Sequence, residues 1–268
     1  MSYKIIQSAS NNELKHLSKL IAQSHYRRQH QLAVLEGVHL IETFIQAGYL
    51  IQTLYLPQQR IHAPEISDLL ATIPAHQVVL VANNLLDKIS DLVNSREPVA
   101  IVKLPEVVSA SDIQDVILLE RVQDPGNTGT ILRSALAAGV HNIVLSKDSV
   151  DAWSPKVLRA AMGAHAYLNI QTVSDLTVWC TDYAYPLYAT ALSPESHSLY
   201  TLNLNEPAGW IFGNEGSGLS AKMLQAASRH VIIPMTGQTE SLNVAMAATI
   251  CLFEQQRQRL QVNTLPNN

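Results

Sequence analysis

The stretch Trp210-Ile-Phe-Gly-Asn-Glu-Gly-Ser-Gly218 joins a short apolar run to a loop of glycine and polar residues. A helical pattern at residues 220–227 follows the loop, and this succession of strand, loop and helix is the building unit of α/β domains. On both sides of it, short apolar runs such as Val116-Ile-Leu-Leu119 alternate with helical patterns. Because buried strands of this kind pair into parallel sheets covered by helices on both faces, the sequence predicts an α/β fold.

The alternation is interrupted in the segment from Lys103 to Asp112, which carries a proline and small polar residues and has no clear periodicity. Such a segment is typical of a linker between domains. We therefore predict a first α/β domain at residues 1–105, a linker at 106–112 and a second α/β domain at 113–268.

The composition excludes several classes of protein. With 47% hydrophobic and 15% charged residues among 268, the chain can bury a large core. Its longest nearly continuous apolar stretch, Val244 to Phe253, is far shorter than the roughly 20 residues of a membrane-spanning helix, so no membrane association is expected. The start, Met1 to Ser8, lacks a charged and then apolar leader. Cys180 and Cys251 form no C-x-x-C pair, which excludes a disulfide scaffold and favours a cytoplasmic protein.

The charge of the chain is unevenly distributed. The net charge of −4 and the pI of about 6.2 give no global sign of a nucleic-acid-binding protein. Residues 1–105 nevertheless hold nine Lys and Arg against eight Asp and Glu, and the segment from Lys15 to His30 contains no acid. Its four cations, Lys15, Lys19, Arg27 and Arg28, form either a solvated helix face or a surface that contacts phosphates.

Three polar loops follow predicted strands of the second domain: 123–129, 213–218 and 234–243. Because open parallel sheets bind ligands beyond the carboxyl ends of their strands, we expect these loops to form a ligand site. Each also leads into a helix N-terminus, where free N–H groups favour an anionic ligand. Taken singly, each loop is equally compatible with an ordinary turn and a helix cap. None carries the dinucleotide G-x-G-x-x-G or a P-loop, which disfavours a nucleotide-binding enzyme of the ordinary doubly wound type.

Arg133 lies six residues after Asn127 on a predicted helix made mostly of apolar and small residues. An arginine in such a setting usually meets an anion or a carboxylate. Glu215 is its expected partner across the crevice, and two interpretations remain open: a functional site, or an Arg133–Glu215 ion pair with a purely structural role.

The loops carry a recognisable set of motifs. Asn127-x-Gly129-x-x-x-Arg133, Ile211-Phe-Gly-Asn-Glu-Gly-Ser-Gly218 and Ile233-Pro-Met-x-Gly-x-x-x-Ser241-Leu-Asn243 resemble the three motifs of the SpoU/TrmH family, RNA ribose 2′-O-methyltransferases of the SPOUT superfamily. This resemblance covers about residues 113–261. The first domain resembles the family's N-terminal substrate-binding domain, whose fold is shared with kink-turn-binding ribosomal proteins, through Asn12-x-x-Lys15, Arg27-Arg28 and Leu35-Glu-Gly37.

The resemblance implies a second domain with a deep trefoil knot that binds S-adenosylmethionine and needs no metal. It assigns hydroxyl activation to Arg133 and the surrounding catalytic pocket to Asn127, Glu215, Ser241 and Asn243. The residues that it assigns to cofactor binding are Thr190, Ala191, Gly213, Ile233, Met235 and Leu242. It also implies that Arg257 and Arg259 reach RNA phosphates.

The substrate that the resemblance favours is ribosomal RNA rather than tRNA, because a separate N-terminal domain is more typical of the family members that modify ribosomal RNA. A tRNA 2′-O-methyltransferase and a non-catalytic RNA-binding or assembly factor remain alternatives.

A homodimer is also expected. The long last helix offers a broad surface of apolar and small residues, and the family likeness points to the same helix. These residues are Leu242, Ala245, Ala248, Thr249, Leu252 and Phe253. The alternative is that all of them face the sheet of their own chain.

Overall fold

The structure is a computed structural model that describes residues 3–82, 85–90, 96–110 and 113–264. Its strands are β1 (Lys4–Ile6), β2 (Leu32–Glu36), β3 (Ile51–Pro57), β4 (Val78–Val81), β5 (Val99–Lys103), β6 (Val116–Leu119), β7 (Asn142–Ser146), β8 (Asn169–Val173), β9 (Leu187–Thr190), β10 (His197–Ser198), β11 (Gly209–Phe212) and β12 (Arg229–Ile232). Its α-helices are α1 (Asn12–Ala22), α2 (Ser24–His30), α3 (Val38–Gln46), α4 (Pro64–Thr72), α5 (Pro125–Ala137), α6 (Pro155–Ala160), α7 (Leu176–Thr181), α8 (Ala221–Ala226) and α9 (Val244–Thr264).

The chain forms two compact units. The first combines Met1–Pro105 with Trp153–Ala166, and the second combines Glu106–Ala152 with Tyr167–Asn268. The segment 153–166, which contains α6 and which the sequence assigns to the second domain, packs within the first unit.

The first unit is built on a five-stranded sheet of order β1-β4-β3-β5-β2. Strands β4 and β3 are parallel, as predicted, and the unpredicted strand β1 is parallel to β4, but β5 runs antiparallel to both β3 and β2. A helix predicted at Asn83–Asp91 has both ends outside the described residues, and the described residues between them form turns.

A buried ion pair fixes the segment 153–166 in the first unit. Glu36, at the end of β2, is only 5% exposed, and Arg159 of α6 donates a hydrogen bond to its carboxylate. The hydroxyl of Ser90 donates to the other oxygen of the same carboxylate at 2.7 Å. After α6, Gly163 adopts a φ of +86° so close to Thr43 that a Cβ would lie 2.8 Å from its methyl carbon, so this contact requires glycine.

The second unit is built on a fully parallel seven-stranded sheet of order β10-β12-β9-β11-β6-β7-β8. This confirms the predicted α/β architecture. Helices α5 and α9 pack together, and the hydroxyls of Ser134 and Thr249 hydrogen bond at 2.7 Å in their contact. Helix α5 begins at Pro125 because the side chain of Asp124 caps it by accepting from the Asn127 N–H at 2.7 Å.

Candidate active site

Several loops meet at one edge of the seven-stranded sheet, beyond the carboxyl ends of β6, β9, β11 and β12. Strand β7 lies on one side of β6, whereas β11 and β9 lie on the other. Such a reversal of strand order opens a crevice at which α/β sheets bind ligands. The loop that follows β6 and the loop that follows β11 stand on the two sides of this switch point.

The loop 213–218 is shaped by its own polar contacts. The side-chain oxygen of Asn214 accepts from the N–H groups of Gly216 and Ser217, both at 3.0 Å. At the base of the loop, Asn214 and Gly218 exchange two main-chain hydrogen bonds of 3.2 and 2.9 Å. The role of Asn214 was not predicted, although an asparagine two residues before a glycine is a recognised signal for a turn held by its side chain.

One chain of side-chain hydrogen bonds connects three loops. Asn127 Nδ2 donates to Glu215 Oε1 at 3.0 Å, and Asn243 Nδ2 donates to Asn127 Oδ1 at 2.9 Å. Asn243 Oδ1 in turn accepts from the N–H groups of Ala245 at 2.9 Å and Met246 at 3.3 Å, which caps α9. Each amide therefore has one orientation that satisfies all its partners, and three predicted catalytic residues lie in one network.

Glu215 is held in its charged form by this network. Partial burial would raise the pKa of Glu215, but hydrogen bonds from the Asn127 side chain and from main-chain N–H groups outweigh it, so the pKa lies below its usual value. The N–H groups of Gln123 and Asp124 approach the carboxylate at 3.5 and 3.4 Å. At neutral pH Glu215 is thus an ionised acceptor that organises the loop after β6 and is not a proton donor.

A cavity of about 760 Å³ lies at this edge of the sheet. All six residues predicted to bind the cofactor line it: Thr190, Ala191, Gly213, Ile233, Met235 and Leu242. Glu215 and Ser241 line it as well, so the cavity and the hydrogen-bonded network share Glu215. A volume of this size is typical of a small-molecule or cofactor site.

The donors in the cavity suit a ligand held by main-chain groups. Four residues of the last loop line the cavity: Met235, Glu240, Ser241 and Leu242. Within the described residues, their main-chain N–H groups make no hydrogen bond to other main-chain groups. The apolar side chains of Leu192, Met235 and Leu242 contribute surface for a flat or aliphatic part of the ligand. This combination of free amides and apolar surface fits S-adenosylmethionine, the group that the sequence motifs imply.

Arg133 is exposed on α5 and does not belong to the network. Among the described residues its side chain forms no ion pair or hydrogen bond. The prediction of an Arg133–Glu215 ion pair is wrong, because the Glu215 carboxylate accepts hydrogen bonds from Asn127 and from main-chain N–H groups instead. Arg133 consequently has its guanidinium available for a ligand.

Two of the arginines predicted to bind RNA are engaged within the chain. Arg27 is 3% exposed and donates to the carbonyls of Leu20 and Ile21 at 2.5 and 2.8 Å, so its prediction as a phosphate-binding residue is wrong. Arg259 holds Asp115 through two hydrogen bonds of 2.7 and 2.9 Å. This bidentate pair contradicts the prediction that Arg259 is free to reach a phosphate.

The remaining predicted RNA-binding cations lie on the surface. Arg257 pairs with Glu254 at 2.8 Å but keeps about half of its side chain exposed. Lys15, Lys19 and Arg28 are exposed or half-exposed on α1 and α2, and they form no ion pair with any of the described residues.

A ring cluster of His16, Tyr26 and His30 lies beside these cations, with the Lys19 ammonium 5.5 Å from the Tyr26 ring. Burial, together with the positive charge that His30 and Lys19 contribute, lowers the pKa of His16. His16 therefore adds little positive charge to this face at neutral pH.

Neither a metal cluster nor a membrane span occurs in the part of the chain that the structure describes. No group of three or more His, Cys, Asp or Glu residues there is arranged to hold a metal ion. No helix there is both long and apolar enough to cross a membrane.

Known proteins resemble the chain along nearly its entire length. The SpoU rRNA Methylase family matches residues 114–253, and the MRM3-like substrate binding domain matches residues 11–100. An uncharacterized tRNA/rRNA methyltransferase of Synechocystis is 34% identical and the match covers 97% of this chain and 96% of that protein. The 23S rRNA (guanosine(2553)-2′-O)-methyltransferase RlmP of Bacillus subtilis is 30% identical, with 93% and 98% covered. The SpoU methyltransferase AviRb from Streptomyces viridochromogenes, solved with AdoMet, is 27% identical with a TM-score of 0.84, and 93% and 98% of the two chains are covered.

The chain therefore belongs to the SpoU rRNA methylase family, which confirms the resemblance seen in its three motifs. The N-terminal match likewise confirms a substrate-binding domain ahead of the methylase domain.

Proposed function

We propose that this protein transfers a methyl group from S-adenosylmethionine to a ribose 2′-hydroxyl of ribosomal RNA. The observation that carries the proposal is the chain Glu215–Asn127–Asn243, which joins the three family motifs at the wall of a cofactor-sized cavity. The named functions of relatives such as RlmP support the substrate class. Because RlmP acts on 23S rRNA, we prefer ribosomal RNA to tRNA as the substrate.

The cavity residues hold the cofactor, and the loop residues prepare the hydroxyl. S-adenosylmethionine supplies a methyl group that is already activated, so the chain has to provide positioning and hydroxyl activation. The exposed Arg133 binds a substrate phosphate and polarises the neighbouring 2′-hydroxyl while it remains protonated, and the proton of the hydroxyl is released to solvent as the methyl group is transferred. Ser241 and the network of Asn127 and Glu215 fix the loops around the reacting ribose.

The function is tested by mapping ribose methylations in the RNA of the organism that encodes this protein, with and without its gene. We expect one or a few 2′-O-methyl groups to disappear from ribosomal RNA. Loss of a site in tRNA would favour the alternative substrate. An unchanged map, together with no binding of S-adenosylmethionine, would instead support the alternative of a non-catalytic RNA-binding or assembly factor.

The exposed basic face of the first unit provides RNA affinity. We expect the triple variant Lys15→Ala, Lys19→Ala, Arg28→Ala to bind ribosomal RNA more weakly. The slope of the logarithm of affinity against the logarithm of salt concentration should also become shallower, by about one for each phosphate that the variant no longer neutralises. Filter binding over a range of salt concentrations measures both. Lys103→Ala is the matched control, since Lys103 is exposed in the same unit at the end of β5. Equal affinity and salt dependence in the triple variant would contradict this role.

Substitution is a cleaner test than removal of the first domain. A truncation beginning at residue 113 would take away Glu36 and Thr43, against which the segment 153–166 packs. Weak RNA binding by such a fragment would then be confounded with damage to its remaining part.

The protein is also proposed to form a homodimer through α9. Of the predicted surface, Ala245, Ala248 and Leu252 are buried within their own chain, which corrects that part of the prediction. Exposed apolar residues Met246, Phe253 and Leu260 instead recur every seven residues and form one stripe along the helix. Exposed apolar stripes of this kind suit association between helices.

Phe253→Glu is expected to weaken the dimer at least about tenfold, because a charge would be buried in an apolar contact. Light scattering should give the wild-type protein a mass near twice 29.4 kDa. Val178→Glu, which alters an exposed apolar residue on α7, is the matched control and should leave the mass unchanged. A wild-type mass near 29.4 kDa at micromolar concentrations would contradict the dimer.

Two further features belong to the same proposal. The family membership supports a trefoil knot in the second unit, since the loops 213–218 and 234–243 meet at one cavity. A cytoplasmic location is supported by Cys180 and Cys251, which are both free and buried. Burial raises the pKa of Cys180 to about 11, which keeps this thiol protonated and unreactive.

A further inference from the structure

Arg121 has a backbone conformation that its position in the fold does not explain. Among the described residues, three other than glycine have a positive φ: Gln31, Arg121 and Met162. Gln31 and Met162 follow the ends of helices, where a left-handed residue is common. Arg121 follows β6 instead, with a φ of 54°, two residues before the loop that contains Asn127. Strained backbone of this kind is concentrated at functional sites.

The left-handed turn directs the main chain of Arg121 to two neighbours. Its N–H donates to the hydroxyl of Ser146, at the end of β7, at 2.9 Å. Its carbonyl accepts from Asn214 Nδ2, also at 2.9 Å. Asn214 is the residue whose side-chain oxygen shapes the loop 213–218, so Arg121 fixes the orientation of that amide.

The side chain of Arg121 reaches the other end of the same loop. Its Nη2 donates to the carbonyl of Gly218 at 3.3 Å, and this carbonyl also accepts the Asn214 N–H. The neighbouring Glu120 accepts the N–H of Ser220 at 2.7 Å, just beyond the loop. Arg121 thus contacts both ends of the segment that bears Glu215.

The guanidinium is only partly satisfied, although its Nη2 lies 3.9 Å from the carboxylate of Glu120. Its Nε atom is buried and has no hydrogen-bond partner among the described residues. A buried donor without a partner is unfavourable, as is a left-handed arginine. Because strain of this kind is concentrated at functional sites, both features point to a use for the clamp on the loop.

We propose that Arg121 is a positioning residue that holds the loop 213–218 in the conformation that binds S-adenosylmethionine. The inference rests on the proposed function, because it takes the cavity lined by this loop to be the cofactor site. Arg121 does not line the cavity and acts through Asn214 and Gly218. Its removal should therefore loosen the loop without unfolding the sheet.

Arg121→Gly tests the proposal, since glycine accepts a φ of 54° without strain and lacks the clamping side chain. We expect its melting temperature to equal or exceed that of the wild type, whereas its dissociation constant for S-adenosylmethionine rises roughly fivefold or more. Amide hydrogen exchange at Gly216 and Gly218 should accelerate locally. Gln31→Gly, which removes the same backbone strain in the first unit, is the matched control and should change neither affinity nor exchange in the loop.

The outcomes separate this proposal from the proposed function. If wild-type protein does not bind S-adenosylmethionine by calorimetry, the proposed function fails and the proposal for Arg121 fails with it. If the wild type binds and Arg121→Gly binds within about twofold of it, only the positioning role is overturned. A parallel fall of melting temperature and affinity in Arg121→Gly would also overturn it, because that result describes a purely structural residue.

Discussion

Arg133→Ala is expected to lower methyl transfer by roughly 100-fold or more, the scale typical of losing a charged donor that stabilises the transition state. The side chain is exposed on α5 and has no partner among the described residues, so its removal leaves no buried charge behind. The melting temperature and the affinity for S-adenosylmethionine should therefore stay close to the wild-type values. Single-turnover methylation of an RNA substrate, run beside thermal melts and calorimetry, measures all three quantities.

Arg133→Lys should not restore activity. Lysine keeps the positive charge but loses the planar fork that can hold a phosphate and a hydroxyl together. If lysine restores turnover, charge alone is sufficient and the proposed geometry is wrong. A well-folded Arg133→Ala protein with near-normal turnover would remove Arg133 from the chemistry altogether.

Gly213→Ala is expected to weaken binding of S-adenosylmethionine by roughly tenfold or more. A Cβ at this position would lie 2.5 Å from the carbonyl carbon of Gly218 and 2.6 Å from the nitrogen of Leu219. An extra methyl group in such a space destabilises the native loop conformation by about 1–3 kcal/mol. The loop must move to relieve the steric clash. Because the loop 213–218 forms one wall of the cavity, its displacement is measured directly as a higher dissociation constant in calorimetry.

Gly216→Ala is the matched control for this substitution within the same loop. A Cβ at Gly216 would meet only the side-chain oxygen of Asn214, at 3.6 Å, which is an ordinary contact. We expect this variant to bind S-adenosylmethionine as the wild type does. Equal affinity for the Gly213 and Gly216 variants would show that the close packing of the loop does not determine cofactor binding.

The fold and the cavity could be predicted because their signals are local. Strands such as Val116–Leu119 are short apolar runs with turn residues after them, and parallel order follows from their alternation with helices. The residues that line the cavity, such as Gly213 and Met235, come from loops that directly follow strands. Once the sheet is parallel, these loops necessarily meet at one edge.

Partners that are distant in the sequence were not predictable in the same way. Arg159 lies in a helix of ordinary appearance, and nothing near it indicates pairing with Glu36, which lies 123 residues earlier. Arg27 stands in a basic run, yet its guanidinium turns inward to the carbonyls at the end of α1. Glu215 likewise had Arg133 as its expected partner on grounds of charge, but it accepts from Asn127. The partner of a charged side chain depends on tertiary packing. It cannot be predicted from the local sequence pattern or from the charge of a candidate partner.

The transferred methyl group is expected on a ribose 2′-hydroxyl of ribosomal RNA. The most direct measurement incubates the purified protein with ribosomal RNA from a strain that lacks it and with S-adenosylmethionine labelled in the methyl group, and then hydrolyses the RNA in alkali. A methylated 2′-hydroxyl cannot attack the adjacent phosphodiester, so the label should appear in alkali-resistant dinucleotides for the wild type and fall at least about 100-fold for Arg133→Ala. Label in mononucleotides, which marks methylation of a base, or no label above background would contradict the account.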